Sequence, residues 1–400
     1  MIKQVAFLLL TVGLFSVSAE PLRLDQAIHL GITNDVRLLP HKSELTLAKM
    51  RSDSSLIYKN PELRLGTELN NDDPQQRASL RFYPPNPWQV HAGKGENLAL
   101  SNQAQARYED AVLQITVEIM KNYRELQCLK EEEELLKQLL VMKQSFAKRL
   151  DSQLSSGAAT QAQTLLAHWA LLETKDKYEE SKIKGLERKQ LFSQQMGIPV
   201  KELTLEPLNK IPSPTVVDPE KMISQALQNN LQLHLLDAQR AQSLAQLSNA
   251  KSQSLPWLNF VEVGYRTGSD EWELEMGLEI PIFTLKGTEK RLTSEAVFQR
   301  NIEIETLRQS MKFAVRSSTK RYNSTVREWI NLEKQQGELI KKTDQFLDQM
   351  TPTNPQQMDD QLALKEKMIQ AKFKLLNLHR RINQARTELI LLIGKPLKER

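Results

Sequence analysis

The chain has 400 residues, 40% of them hydrophobic, 26% charged and 6% aromatic, with 14 glycines and one cysteine. A mean hydropathy of −0.48 excludes a multi-helix membrane protein, since each span needs about 20 consecutive apolar residues and only residues 5–17 approach such a run. The 54 Lys and Arg against 49 Asp and Glu give +5, but the signs alternate along the chain, without the basic stripe and interleaved aromatics of a nucleic-acid binder.

Met1 to Lys3 form a positive start, Val5 to Val17 an apolar stretch, and Val17-Ser18-Ala19 a small-residue site before Glu20. That order predicts a secretory signal peptide over residues 1–19 and an exported mature chain. Glu20 rather than Cys follows the cut, so a lipid anchor is not expected there. Cys128 cannot pair within the chain, which removes a disulfide framework and leaves packing to hold the fold.

The landmarks of the chain repeat. Asn34-Asp35 matches Asn229-Asn230 and Pro61-Glu62-Leu63 matches Pro256-Trp257-Leu258, both at an offset of 195. Lys94-Gly95 matches Lys286-Gly287 at 192; Leu150-Asp151 matches Leu347-Asp348, and Met196-Gly197-Ile198-Pro199 matches Ile393-Gly394-Lys395-Pro396, both at 197. Such ordered self-similarity marks a duplication. It predicts a first repeat over 20–205, a Pro-rich linker over 206–217 and a second repeat over 218–400.

Each repeat reads as a helix, two short strands, a very long helix, a turn and a return helix. In the first, a helical pattern from Leu24 to about Tyr58 stops at Asn60-Pro61, where the residue before proline disfavours helix. Strands follow over 63–70 and 78–83 around an Asn70–Pro74 turn. Gly93-Lys94-Gly95 lacks the spacing of a phosphate-binding loop and reads as a strand-to-helix turn. The hairpin then covers 95–196, its long arm about 60 residues or roughly 90 Å. Leu98, Val112, Ile119, Leu126 and Leu140, with Tyr108, Ile115, Leu129 and Leu136, form a coiled-coil seam. The second repeat places strands over 257–265 and 272–283 and a hairpin over 287–393.

The strands alternate. Trp272, Leu274, Met276, Leu278 and Ile280 oppose Glu273, Glu275, Gly277 and Glu279; Trp257, Val261, Val263 and Tyr265 oppose Glu262 and Gly264. Leu63, Leu65 and Leu69 oppose Arg64, Gly66 and Glu68; Leu80 and Phe82 oppose Ser79 and Arg81. The pattern fits a membrane barrel with a wet lumen, but taken alone it favours an antiparallel sheet lying on a helical core. Four strands cannot close a membrane barrel, so the first reading requires several protomers to share one.

No His-Glu-x-x-His spacing, Cys/His cluster or nucleophile elbow occurs, so an enzyme, a metal site and a cofactor are not expected.

Taken together these residues resemble the TolC-like outer membrane efflux protein family. The resemblance rests on Leu24-Asp25-Gln26-Ala27-Ile28 with Asn34-Asp35, on Asn60-Pro61-Glu62-Leu63, on Ile280-Pro281-Ile282-Phe283, and on Gly197 and Gly394 at the ends of the return helices. Asn60-Pro61-Glu62-Leu63 leans toward the heavy-metal efflux branch. The resemblance implies a mainly α fold of duplicated long hairpins, forming a coiled-coil tunnel. It also implies a homotrimer in which four strands per protomer build a twelve-stranded barrel in outer membrane lipid.

It further implies an exit duct without covalent chemistry, partnered by a periplasmic adaptor protein and an inner-membrane transporter. The docking tips would lie at Ser155 to Gln163, with Ser156 and Gly157, and at Met350 to Asp360, with Pro352 and Pro355. Asp359 and Asp360 would narrow the periplasmic mouth, or serve as N-terminal acids of the return helix. Arg64, Arg81, Glu68, Glu262, Glu273, Glu275 and Glu279 would line the lumen with an acidic excess and favour cations. The chain departs from the family in Tyr83-Pro84-Pro85-Asn86-Pro87 and in lacking Gly at the second tip. A duct for type I protein secretion and an exported coiled-coil structural or adhesin-like protein are the alternatives.

Overall fold

The computed structural model describes residues 21–53, 59–70, 73–208, 213–267, 271–280, 287–349 and 355–396. The expected signal peptide, Pro352 and Pro281-Ile282-Phe283 lie outside them. The first half supplies α1 (Leu24–Asn34), α2 (Leu38–Asp53), β1 (Glu62–Asn70), β2 (Asp73–Phe82), α3 (Pro87–Ser155) and α4 (Gln161–Met196). The second supplies α5 (Pro219–Asn229), α6 (Leu231–Ser252), β3 (Trp257–Arg266), β4 (Glu271–Glu279), α7 (Gly287–Gln349) and α8 (Pro355–Ile393).

The chain divides into two compact units. One comprises Met1–Asn34, Glu118–Ser213 and Trp329–Arg380; the other comprises Asp35–Val117, Pro214–Glu328 and Arg381–Arg400. In the first unit Ile119, Tyr123, Phe192 and Met196 are buried, with the Tyr123 and Phe192 rings edge-on at 6.2 Å. Gly31 of α1 sits against this core, where any Cβ would run into Ile119 and Met196. The Tyr123 hydroxyl donates to the Leu22 carbonyl at 2.7 Å, and Leu22 bridges to Leu205. These contacts tie the start of α1 to the segment leaving α4.

In the second unit α3 packs on α6 through Gln103–Gln242 at 2.8 Å and Gln246–Glu96 at 2.9 Å, and on α2 through Arg107–Glu44 at 2.6 Å. The four strands form one antiparallel sheet in the order β1-β2-β3-β4.

Several expected boundaries move. The first helix is broken between α1 and α2, where the Asp35 carboxylate accepts the Arg37 backbone N–H at 2.9 Å. The Arg37 guanidinium also hydrogen-bonds that carboxylate and holds its pKa below the ordinary value. Helix α3 starts at Pro87, so Gly93-Lys94-Gly95 lies inside a helix and is not a strand-to-helix turn. The start signal is Asn86-Pro87. The Asn86 Oδ1 accepts the N–H groups of Trp88 at 3.0 Å and Gln89 at 3.3 Å, and proline occupies the first helical position, where its missing donor costs nothing.

Strand β2 begins at Asp73 and takes in Pro74, opposite Leu69. Pairing between β2 and β3 extends only from Arg77 to Phe82, so Pro74 lies where a ladder donor is not required. The helical seam also proves too narrow a description. Residues Leu113, Ile115, Val117, Ile119, Met120 and Tyr123 of α3 are all buried, a spread wider than one seam, whereas Leu98 is exposed.

The duplication is visible as matched side-chain clasps. Asn34 Nδ2 donates to the Met196 carbonyl at 2.8 Å and Asn230 Nδ2 donates to the Leu392 carbonyl at 2.9 Å, each across 162 residues. Beyond them Gly197 and Gly394 adopt φ of 69° and 79°, the left-handed cap that ends each return helix.

Candidate functional site

The sheet has two faces of opposite character, and the apolar one is bare. Trp272 is 76%, Leu65 75% and Leu274 63% exposed, and Leu63, Leu80, Phe82, Val263, Met276, Leu278 and Ile280 are exposed with them. A sheet resting on a helical core would bury this set. Here the apolar side chains face outward and a carboxylate, Glu262, is buried at 3% beside Ser79.

The register assigns the opposite face: residues directly across a ladder share a side of the sheet. Arg81 stands opposite Glu62 and Glu262; Glu262 opposite Glu275; Arg266 opposite Arg77 and Glu271; Gly264 opposite Glu273. The Arg81 guanidinium meets Glu262 at 2.5 Å and the Ser79 hydroxyl donates to the same carboxylate at 2.5 Å. Arg77 reaches Glu262 at 3.6 Å, Glu273 at 3.5 Å and Glu275 at 3.4 Å, and Arg266 reaches Glu273 at 2.8 Å. Arg64 pairs with Glu62 at 3.1 Å. Glu68 stands opposite Gln75, its side chain outside the described residues. Glu279 is exposed opposite Trp257.

Two members of this network, Arg77 and Arg266, were not expected. The expected strands, 78–83 and 257–265, stop one residue short of Arg77 and Arg266, which the same parity carried one step further places on this face. A third surprise is a β-bulge between Leu258 and Phe260. Trp257 was expected to share the apolar face with Val261, Val263 and Tyr265. The bulge instead sets it opposite Glu279, on the polar side, where its ring meets Trp88 edge-on at 5.4 Å and its Nε1 donates to the Pro84 carbonyl at 3.1 Å. Phe260, beyond the bulge and in step with Glu262, lies on the same polar side and covers Gly277, where any Cβ would strike the ring. The Arg81 guanidinium stacks on the other side of this contact, 3.8 Å from the Phe260 centroid.

At the hairpin end, α3 stops at Ser155, Ser156 Oγ donates to the Gln153 carbonyl at 3.0 Å, and Gly157 turns the chain at φ 74°. Thr160 caps α4 through a reciprocal pair: Gln163 N–H donates to Thr160 Oγ1 at 3.2 Å and Thr160 N–H to Gln163 Oε1 at 2.8 Å. His168 and Asp151 meet at 2.9 Å, and Ala147, Leu150 and Ala167 form a small core behind the turn. In the second hairpin Pro355 opens α8.

Asp359 and Asp360 stand in the first turns of α8. Asp360 is exposed, whereas Asp359 accepts from the Arg149 guanidinium of α3 at 3.0 Å. That contact is the first rung of a ladder between α3 and α8, followed by Lys143–Glu366 at 2.6 Å and by Arg380 with Glu132 at 2.5 Å and Glu125 at 3.4 Å. The ladder borders a groove of about 630 Å³, whose α4 side carries Glu173, Lys177, Glu180 and Lys184. Lys177 and Lys184 hydrogen-bond Glu173 and Glu180 and hold both carboxyls below their ordinary pKa.

No family model matches the chain, and no curated protein does. Solved structures do. The outer membrane protein VceC of Vibrio cholerae aligns at a TM-score of 0.63 and 15% identity over 94% of this chain and 97% of its own. The open MtrE outer membrane channel of Neisseria gonorrhoeae aligns at 0.68 and 12% over 94% and 90%. The CmeC outer membrane channel of Campylobacter jejuni aligns at 0.64 and 13% over 93% and 85%. The chain has the fold of these outer-membrane channels. In this chain that fold combines long helical hairpins with four strands.

Proposed function

We propose that this protein is a member of the TolC-like outer membrane efflux family and the passive exit duct of a tripartite efflux pump. The observation that carries the reading is the inverted sheet: exposed leucines and aromatics on one face, a buried and ion-paired glutamate on the other. Water penalises such a face and lipid does not. A bilayer around the apolar side and an aqueous lumen behind the charged side satisfy both, provided that several copies close the barrel.

On this reading the working unit is a homotrimer in the outer membrane of a Gram-negative cell. An adaptor protein docks at the tips around Ser156, Gly157, Pro352 and Pro355, and an inner-membrane transporter supplies the energy. Asp359 and Asp360 stand at the periplasmic mouth. The charged strand face, with its acidic excess, prefers cations, and the Asn60-Pro61-Glu62-Leu63 segment leans the cargo toward metal ions.

The test is fractionation followed by reconstitution. A duct requires detergent for release, runs as a trimer, and conducts in planar bilayers with a reversal potential on the cation side. A soluble periplasmic product would instead support the exported coiled-coil reading, and anion preference would refute the assignment of the lumen.

A further inference from the structure

We infer that Arg77 sets the charge preference of the polar strand face, an inference that rests on the duct reading. Its neighbours across the ladder are Gly66 on β1 and Arg266 on β3. Arg77 reaches over the position of Gly264. A Cβ at Gly264 would sit 3.7 Å from Arg77 Nε and 3.2 Å from Ser79 Cβ. From there one guanidinium serves Glu262, Glu273 and Glu275, at 3.6, 3.5 and 3.4 Å.

The three glutamates are not equally held. Glu262 has Arg81 at 2.5 Å and Glu273 has Arg266 at 2.8 Å, but among the described residues Arg77 is the one cation within 4.0 Å of Glu275. By register the face carries Arg64, Arg77, Arg81 and Arg266 against a larger set of carboxylates, so each arginine counts in the field that a passing ion meets. Arg77 is central among them and neutralises the stretch where glutamates crowd. It therefore moderates a cation preference that the glutamates alone would make steeper. Arg77 acts as a positioning residue for Glu275 and as a countercharge in its own right.

The experiment compares reversal potentials across a KCl gradient for the reconstituted wild type, Arg77→Gln, Arg77→Lys and Glu275→Gln. One charge lost per protomer, acting across roughly 10 Å of screened water, is expected to raise the K⁺/Cl⁻ permeability ratio of Arg77→Gln about twofold. Arg77→Lys keeps the charge and should stay near wild type, which a purely packing role for the side chain would not allow. Glu275→Gln, at a half-exposed position, should lower the ratio. Wild-type conductance with an unchanged ratio in Arg77→Gln overturns the role of Arg77 and leaves the duct standing. Should Arg77→Gln fail to insert, Arg77→Ala decides in its place, a raised ratio supporting the role and an unchanged one overturning it. Absence of conductance in the wild type overturns the duct reading, and this inference with it.

Discussion

Asn230 does alone what two residues share in the first half of the chain. Its Oδ1 accepts the N–H groups of Gln232 at 3.0 Å and Leu233 at 3.2 Å, capping α6, while its Nδ2 holds the end of α8. In the first half Asn34 holds the end of α4 and Asp35 accepts the Arg37 N–H. The break between the two helices is accordingly three residues in the first half, Asp35 to Arg37, and one residue, Asn230, in the second. Gly394 is fixed more tightly than its positive φ alone requires, because a Cβ there would press on the Asn229 carbonyl. Cys128 is fully buried, and burial pushes its thiol up to about 12. The folded chain therefore keeps a proton that the unfolded chain releases near pH ~8.5, so this residue's contribution is intact below that pH and falls as pH rises toward 12. At pH 8 a thiol reagent should label native protein at least about 100-fold more slowly than denatured protein. Melting at pH 7 and pH 10 should show a larger loss for the wild type than for Cys128→Ala. Equal labelling rates would contradict the assignment.

Between elements, the α3–α8 ladder concentrates on Arg380. Glu125 and Glu132 are one heptad apart, two turns along the same face of α3, and both reach it. Burial works against the charge of Arg380, but its hydrogen bond to Glu132 and the two carboxylates outweigh it and raise its pKa. Arg380→Met would leave both glutamates partly buried without their countercharge. The partners are partly solvated, so the expected loss is about 1–2 kcal/mol, read as a lowered melting temperature. Adding Glu132→Gln should recover part of it, and strictly additive effects would show that the contact carries no coupling.

The strands show why element-level reading stops where it does. Alternation assigned both faces correctly from Val261 onward, because side chains of a regular strand follow a period of two. It misplaced Trp257 because a bulge inserts a residue without any mark in the hydropathy pattern. The start of α3 was legible in Asn86-Pro87 but was hidden behind the more conspicuous glycines at 93 and 95.

At the scale of the whole molecule, the proposed duct sets the apolar strand face in lipid. Leu274 lies mid-strand on that face. Leu274→Arg should lower recovery from the detergent-soluble membrane fraction and cost about 2–4 kcal/mol of stability in lipid, the penalty for arginine near the bilayer centre. Glu279→Gln, on the other face, should partition as the wild type does. Identical partitioning of Leu274→Arg would mean that the face never meets lipid.

The sequence by itself determined the mainly helical composition, the duplication, the number of strands and their alternation, because these depend on periodicity and punctuation along the chain. Gly197 and Gly394 were legible as the ends of the return helices, and Asn34 as a landmark though not as a clasp. Only the tertiary structure decided that the apolar strand faces stay uncovered, since alternation is the same for a sheet packed on helices and for one turned toward lipid. It also decided the partners of Arg77, Glu262 and Arg380. These depend on register and on which helices lie side by side, and residues 181 or 248 positions apart leave no local trace of their meeting.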